Sequence, residues 1–521
     1  MIVLGIESST TSAKVMLADL DRGAPIVRTR PYRLNTLDPA VRDPDEVFRQ
    51  TAALAREVSA DRPVDLVVLS GTWHGLTLQS PSATVTPVME WPHTGASAVC
   101  TPLRQDADFV RWFYGRTGCM VNAIYPAFKL RLLRDQGVDL RGLTAMDQGS
   151  VNFERLTGQR WTSVALASGS GLLRSATEDW DAEVLDALGL GDVALPRLVA
   201  WDEAAPLSAA GAAALGLRQG IPVLPCAPDG GLCQVGDDAN QPGEMTFSMG
   251  TSGALRLVTP GPAVSARLST WCYRSPLTWL SGAATSGCTN CVDWAKSRLF
   301  GPAMGYDEIE AGLPAEPPAG PPVFLPFLFG ERCPGWQDQR AGGFLDVRGS
   351  HTPHDLYFGV LLGVALGLYH CYQELITLNG PPGRIVLSGG VLSSPFWTQL
   401  TVDAFGVPME RSTVQHSSLA GAVVLGARFA GRARPPGLTG ETVGPMRDGV
   451  GSTGKTAGPT VGPMRDSAGP TVGSMRDSAG PTVVQPNPAR ASYYAEQFAR
   501  YLDHYQRTAP SDPLAPKETR S

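Results

Sequence analysis

Two apolar runs, Ile2-Val3-Leu4-Gly5-Ile6 and Val15-Met16-Leu17-Ala18, bracket a turn of small hydroxyl residues at positions 8–12, and the pattern predicts a β-hairpin at the start of the chain. Further apolar runs of strand length end in small residues: Leu66-Val67-Val68-Leu69 before Ser70-Gly71, and Ile385-Val386-Leu387 before Ser388-Gly389-Gly390. Between them lie helical patterns, with apolar residues at mixed three and four spacing over residues 358–378 and a similar stretch over 45–58. Alternation of strand, turn and helix argues an α/β fold with its sites where strands end. Residues 229–257 begin a second such round, with a turn of Gly, Thr and Ser after the strand-like Met245-Thr246-Phe247-Ser248. Two similar halves, dividing near residue 240, would face one another across a cleft.

Composition changes abruptly at residues 435–488. Residues 461–471 recur at 472–482 with one change, and 443–460 read as an expanded first copy. Each unit carries Gly and Pro and almost no apolar side chains, so it cannot offset its ordering entropy and reads as a flexible excursion. Aromatic, helix-like character returns in Tyr493-Tyr494-Ala495-Glu496-Gln497-Phe498, a segment expected to dock back on the second half.

At 521 residues the chain exceeds what one core usually supports, in keeping with two domains. A net charge of -6 without basic clusters argues against a nucleic-acid surface. The absence of a signal-peptide pattern and of a long uninterrupted apolar run predicts a cytoplasmic protein with no membrane partner. Nine scattered cysteines fit reduced thiols better than a disulfide framework, and the lone Cys288-Thr289-Asn290-Cys291 reads as buried small residues rather than a metal site.

The candidate chemistry centres on Asp229, in Ala227-Pro228-Asp229-Gly230-Gly231, followed by Gly250-Thr251-Ser252-Gly253. A carboxylate can accept a proton from an alcohol, while small hydroxyl residues between glycines let backbone N–H groups close on phosphate oxygens. The first hairpin turn offers the same chemistry: Glu7 for a hydrated Mg²⁺, with hydroxyls and amides for phosphates. It lacks the Lys of a strand-to-helix P-loop. A third turn of this type is Ser388-Gly389-Gly390 followed by Ser393-Ser394. Trp73 and His74, at a strand end beside glycines, read as substrate contacts or as structural residues, and Tyr125 as a contact or a core residue. Arg256 and Arg332 could pair with a carboxylate or a phosphate, or bind backbone carbonyls.

With these turns in place the chain resembles the FGGY carbohydrate kinases, over nearly its whole length apart from the repeats. Thr117-Gly118-Cys119, Tyr125-Pro126-Ala127-Phe128-Lys129, Gly250-Thr251-Ser252-Gly253-Ala254-Leu255-Arg256 and Gly330-Glu331-Arg332-Cys333-Pro334-Gly335-Trp336 look like gluconate kinases of that family, with xylulose kinases next. The resemblance implies two actin-like (ribonuclease-H-like) ATPase domains facing a central cleft. They would span residues 1–240 on the sugar side and 241–434 on the nucleotide side, followed by the repeat insert 435–488 and a terminal helix with tail, 489–521. It implies ATP and Mg²⁺ as cofactors and a small sugar or sugar acid as substrate, and leaves a homodimer open.

By the same resemblance Asp229 is the general base. Trp73, His74 and Tyr125 contact the sugar. Thr10, Thr11, Ser12, Gly250, Thr251, Ser252 and Gly253 meet phosphates, and Gly389, Gly390 and Ser394 lie on the adenosine side. The chain departs from the family pattern at Glu7 and Ser9, where Asp and Gly are usual. His93 and Gly95 replace an acid and an Arg, Phe358 and Leu362 replace Arg and Glu, and Cys288-Thr289 replaces a Gly pair. The expected activity is phosphorylation of gluconate, with xylulose or another polyol as the alternative substrate. A binding protein that kept the cleft without catalysis is the other alternative, and a chaperone-like ATPase is disfavoured.

Overall fold

The computed structural model describes residues 1–38, 40–435, 438 and 482–508. Its first sheet has six strands in the order Ala205–Pro206, Pro222–Pro228, Leu66–Gly71, Ile2–Ser8, Ser12–Asp19, Arg22–Pro31. The predicted hairpin is present, with Ile2 opposite Asp19 and Ser8 opposite Ala13. Leu66–Gly71 and Pro222–Pro228 run parallel to the first strand and to each other. Their residues are buried almost throughout, as parallel strands covered on both faces require.

The second sheet repeats the plan. Glu244–Met249 and Gly253–Thr259 form its hairpin, Trp279–Thr285 adds an antiparallel strand outside it, and Arg384–Gly389 and Met409–Arg411 run parallel on the other side. With the edge strands Ala205–Pro206, Trp271–Arg274 and Val483–Val484 set aside, the strands of both sheets lie in the order third, second, first, fourth, fifth, and the expected α/β architecture of two like halves is the one observed. Trp271–Arg274 and Val483–Val484 complete the two edges of the second sheet.

Helices cover the sheets where the sequence pattern placed them. Pro44–Ser59 starts with Asp43 accepting from Asp45 N and Glu46 N, and buries Val47, Leu54, Ala55 and Val58. Pro353–Asn379 starts with a capping box between Thr352 and Asp355. Among the described residues it is the one helix long and apolar enough to cross a membrane, and most of it is buried within the fold. Tyr494, Gln497 and Tyr501 of Ala491–Arg507 are buried against the second half, where the sequence expected this segment to dock. All nine cysteines are free, eight of them buried, in line with small core residues.

Two features depart from a simple division of the chain. The helix Ser417–Phe429 belongs by sequence to the second half but lies on the first sheet. There Gly421 approaches the backbone of Leu232, Gly426 packs on Val3 and Leu66, and Ala422 faces Gly5. The chain also regains regular structure before residue 488: Val483–Val484 pairs with Met409 and Glu410, so the last residues of the expected insert form a sheet edge. The repeats themselves, residues 443–481, lie outside the described residues.

Candidate active site

The three parallel strands of the first sheet end side by side: Ser8 pairs with Gly71, and Gly71 with Pro228. Asp229 follows at the first turn of Asp229–Gly236, so its run of glycines forms a strand-to-helix junction. A carboxylate there meets free backbone amides, and Gly230 N donates to Asp229 Oδ1 at 2.7 Å. Burial, then the Glu7 charge, push the Asp229 carboxyl up to about 6, against the pull of Arg256, the Gly230 amide and Lys14. Such a carboxyl is ionised at neutral pH yet basic enough to accept a proton. Arg256 comes from the second sheet's hairpin. Its Nη1 donates to Ser248 Oγ at 3.1 Å, and its Nε lies beside Gly230, where an added Cβ would sit 2.9 Å away.

The first hairpin turn is braced from behind. The Ser9 hydroxyl donates to Ser12 O at 2.8 Å and lies 3.0 Å from Ser12 Oγ, so the side chain at the usual glycine position folds into its own turn. Arg42 donates to Ser9 O and Thr10 O, Trp91 Nε1 donates to Thr10 Oγ1 at 3.0 Å, and Arg42 is paired with buried Glu90. Thr11 is left exposed at the tip. Glu7 does not match the expected metal role. Lys14 Nζ donates to its Oε1 at 3.0 Å, and Ser70 and Ser418 donate to its Oε2. Burial opposes its ionisation, but Lys14 and these hydrogen bonds outweigh it and hold the carboxyl below the usual range. With both oxygens committed, a metal would have to compete with a partly buried ammonium. Among the described residues no cluster of three His, Cys, Asp or Glu side chains could hold an ion.

The loop after Leu66–Gly71 carries Trp73 and His74, both nearly buried. Trp73 Nε1 donates to Ala165 O at 3.0 Å, and its ring reaches Gly230 next to Asp229, where an added Cβ would sit 2.6 Å from Cζ3. His74 takes a φ of +72°, a conformation non-glycine residues seldom hold without support. The support is Lys129: fully buried, its ammonium donates to the carbonyls of His74, Met89 and Glu90. His74 Nδ1 lies 2.7 Å from Gly169 O, and burial, with Arg332 and Lys129, keeps the ring well below its ordinary pKa and therefore neutral. Tyr125 is fully buried, with its hydroxyl 2.7 Å from that of Tyr273 on the second sheet. It joins the halves and walls in His74 at 5.2 Å rather than presenting an open hydroxyl.

The second sheet brings its two turns together, because Met249 pairs with Gly389 at the ends of parallel strands. Thr251, Gly389 and Gly390 are exposed, Gly250 and Ser252 are partly so, and Gly253 is buried. Gly389 has φ +96°, and a Cβ there would lie 2.4 Å from Met249 O, so the position excludes any side chain. The two turns therefore present mostly bare backbone side by side. Ser394 is tied up elsewhere: its hydroxyl accepts from Trp397 N at the start of Pro395–Phe405 and donates to Glu310. Thr289, at one of the divergent positions, donates its N–H to Gly250 O at 3.0 Å and sets its methyl 3.4 Å from where a Cβ on Gly390 would lie. Phe358 and Leu362, at two others, are core residues.

Lys14, Arg42, Glu90 and Lys129 are the supporting residues that sequence reasoning passed over. Lys14 left a signal, being a single cation in an otherwise apolar strand, whereas Lys129 shares its helix with Arg131 and Arg134. The Arg42–Glu90 pair left none. His93 and Gly95 are coupled, since a Cβ on Gly95 would lie 2.6 Å from the His93 ring, so the space that a side chain would need is filled by the imidazole.

Comparison with known proteins bears on the family and the fold. The profile of the "FGGY family of carbohydrate kinases, N-terminal domain" matches residues 2–236, and that of the C-terminal domain matches residues 245–430. The gluconokinase of Bacillus subtilis (strain 168) is 24% identical over 487 residues, 89% of this chain and 92% of that protein. The xylulose kinase of Escherichia coli (strain K12) is 25% identical over 426 residues, 79% of this chain and 86% of that protein. Among solved structures, gluconate kinase from Lactobacillus acidophilus superposes with a TM-score of 0.82 at 23% identity, covering 98% of this chain and 99% of its own.

Proposed function

The chain belongs to the FGGY family of carbohydrate kinases, and from that premise we propose that it transfers the γ-phosphoryl group of ATP to a hydroxyl of a sugar acid, gluconate foremost, with Asp229 as general base. The observation that carries this reading is the position of Asp229, at the end of a parallel strand and beside the Trp73-His74 loop, with its carboxyl raised to about 6. The substrate oxygen forms a bond to the γ-phosphorus as the bond to the β-phosphate oxygen breaks. The hydroxyl proton passes to Asp229 and ADP leaves. Positioning and charge neutralisation carry most of the acceleration in such a transfer. Thr11 and the amides of residues 8–12 would meet the phosphates from one side, and residues 250–253 from the other. Gly389 and Gly390 would admit the adenosine. Mg²⁺ would arrive with the nucleotide, held by its phosphates and water more than by Glu7.

The preference for gluconate over xylulose rests on the residue patterns around Arg256, Arg332 and Trp336, and on the gluconokinase relatives. A coupled ADP-release screen over gluconate, xylulose, ribulose and glycerol tests it. Gluconate is expected to give the highest kcat/KM, and Asp229→Asn to lower kcat by about 10²- to 10⁴-fold. A variant that works at the parent rate would overturn the assignment of the base. Ligand binding without turnover of any polyol would identify a non-catalytic binding protein.

A further inference from the structure

A cavity of about 300 Å³ opens between the two halves, lined from the first by Trp91, His93 and Asn122 and from the second by Ser286, Asn290 and Arg332. The charges around it are paired, with one exception. Asp338 accepts from Asn122 and lies 3.6 Å from Arg104. Glu331 is held by Arg340 Nη1 at 2.9 Å and by the Tyr505 hydroxyl. Burial and the neighbouring Lys129 lower the pKa of His93 and keep its ring neutral. Arg332 alone has neither a side-chain hydrogen bond nor an ion pair among the described residues, and its Nε is buried without an acceptor. An unpaired guanidinium in a confined space is costly unless an anion arrives to share it. Its field is felt by His74, Tyr125 and Tyr273, the aromatic wall of the substrate loop, whereas the cations that most affect Asp229 are Arg256 and Lys14.

We propose that Arg332 is the carboxylate-recognising residue of the substrate pocket and confers preference for polyhydroxy acids over neutral polyols. This rests on the kinase reading and deepens it: the reacting hydroxyl of the substrate would lie at Asp229 and its acid end at Arg332. The loop that carries Arg332 is braced. Neighbouring Glu331 is anchored through Arg340 to the terminal helix Ala491–Arg507, where Arg340 also stacks 4.0 Å from the centre of the Tyr505 ring.

Steady-state kinetics on Arg332→Met and Arg332→Lys, with gluconate and with its neutral analogue glucitol, test the assignment beside calorimetric binding of gluconate to the nucleotide-free proteins. Arg332→Met is expected to raise KM and Kd for gluconate about ten- to a hundredfold, with kcat within about threefold of the parent and glucitol unaffected. Arg332→Lys is expected to recover part of the loss. An unchanged gluconate KM and Kd, or equal losses for gluconate and glucitol, would overturn the proposal. A parent that phosphorylates neutral sugars and neither binds nor phosphorylates an acid would overturn it too, while leaving the kinase reading intact. If the parent turns over nothing, the kinase reading fails, and the calorimetric comparison alone still decides whether Arg332 binds the carboxylate.

Discussion

The turn at residues 8–12 and the turn at residues 250–253 occupy the same place in their sheets, between the first and second strands, yet they are built by different means. The first rests on charge: Glu7 and Lys14 pair across its hairpin, and Arg42, anchored on Glu90, grips its carbonyls from behind. The second rests on glycine and bare backbone. The cation of its hairpin, Arg256, sits opposite Thr246 on the neighbouring strand but directs its guanidinium toward Ser248 and across to Asp229. In the proposed kinase, one half would concentrate the groups that move a proton and hold charge, and the other would supply the surface for the nucleotide. A duplicated fold would then be divided between chemistry and accommodation.

Breaking the charged half has the largest expected cost. Lys14→Met leaves Glu7 buried without its counter-ion, and unfolding experiments at pH 7 should show a loss of about 3 kcal/mol. A loss below about 0.5 kcal/mol would mean that Ser70 and Ser418 suffice for Glu7. Asp229→Asn should have the opposite sign. The folded state raises the pKa of this carboxyl above its unfolded value, so folding binds a proton more tightly and the penalty sets in as pH rises from about 4 to 6. The variant should therefore gain on the order of 2 kcal/mol at pH 7 and nothing at pH 4. Equal stability at both pH values would place the carboxyl in water.

The same shift sets the pH dependence of the rate. kcat/KM should fall about fivefold between pH 6 and pH 5 as Asp229 takes up a proton. Lys14→Met should move that limb upward, because Lys14 helps to hold the carboxyl down. The smallest effect is expected in the accommodating half: Gly389→Ala should raise KM for ATP about fivefold, or about 1 kcal/mol, and leave KM for the sugar unchanged. A change in the sugar KM instead would show that this turn does more than admit the nucleotide.

Local features were legible in the chain and long-range partnerships were not. The hairpins, the helix Pro353–Asn379 and the turn glycines announce themselves through apolar period and small residues, since these depend on neighbours in sequence. Asp229 was found by its glycines, although they belong to a helix start rather than a loop. Tyr125 and Ser394 carry the right residue types, but partners distant in sequence, Tyr273 and Glu310, engage their hydroxyls. The Arg42–Glu90 pair spans 48 positions, and periodicity carries no trace of it. The path of Ser417–Phe429 to the first sheet was hidden for the same reason, because its apolar face suits either sheet.

That path has a mechanical consequence. The chain passes from the first sheet to the second just after Gly236, returns just before Ser417 and crosses once more between Phe429 and Val483; the first two passages are fastened at one point. The Asp237 carboxylate accepts from Ser412 at 2.7 Å and from Ser417 at 2.8 Å. A door hung on two straps riveted together can swing but cannot slide. Opening of the cleft should therefore be a rotation about Asp237, with the far rim travelling most.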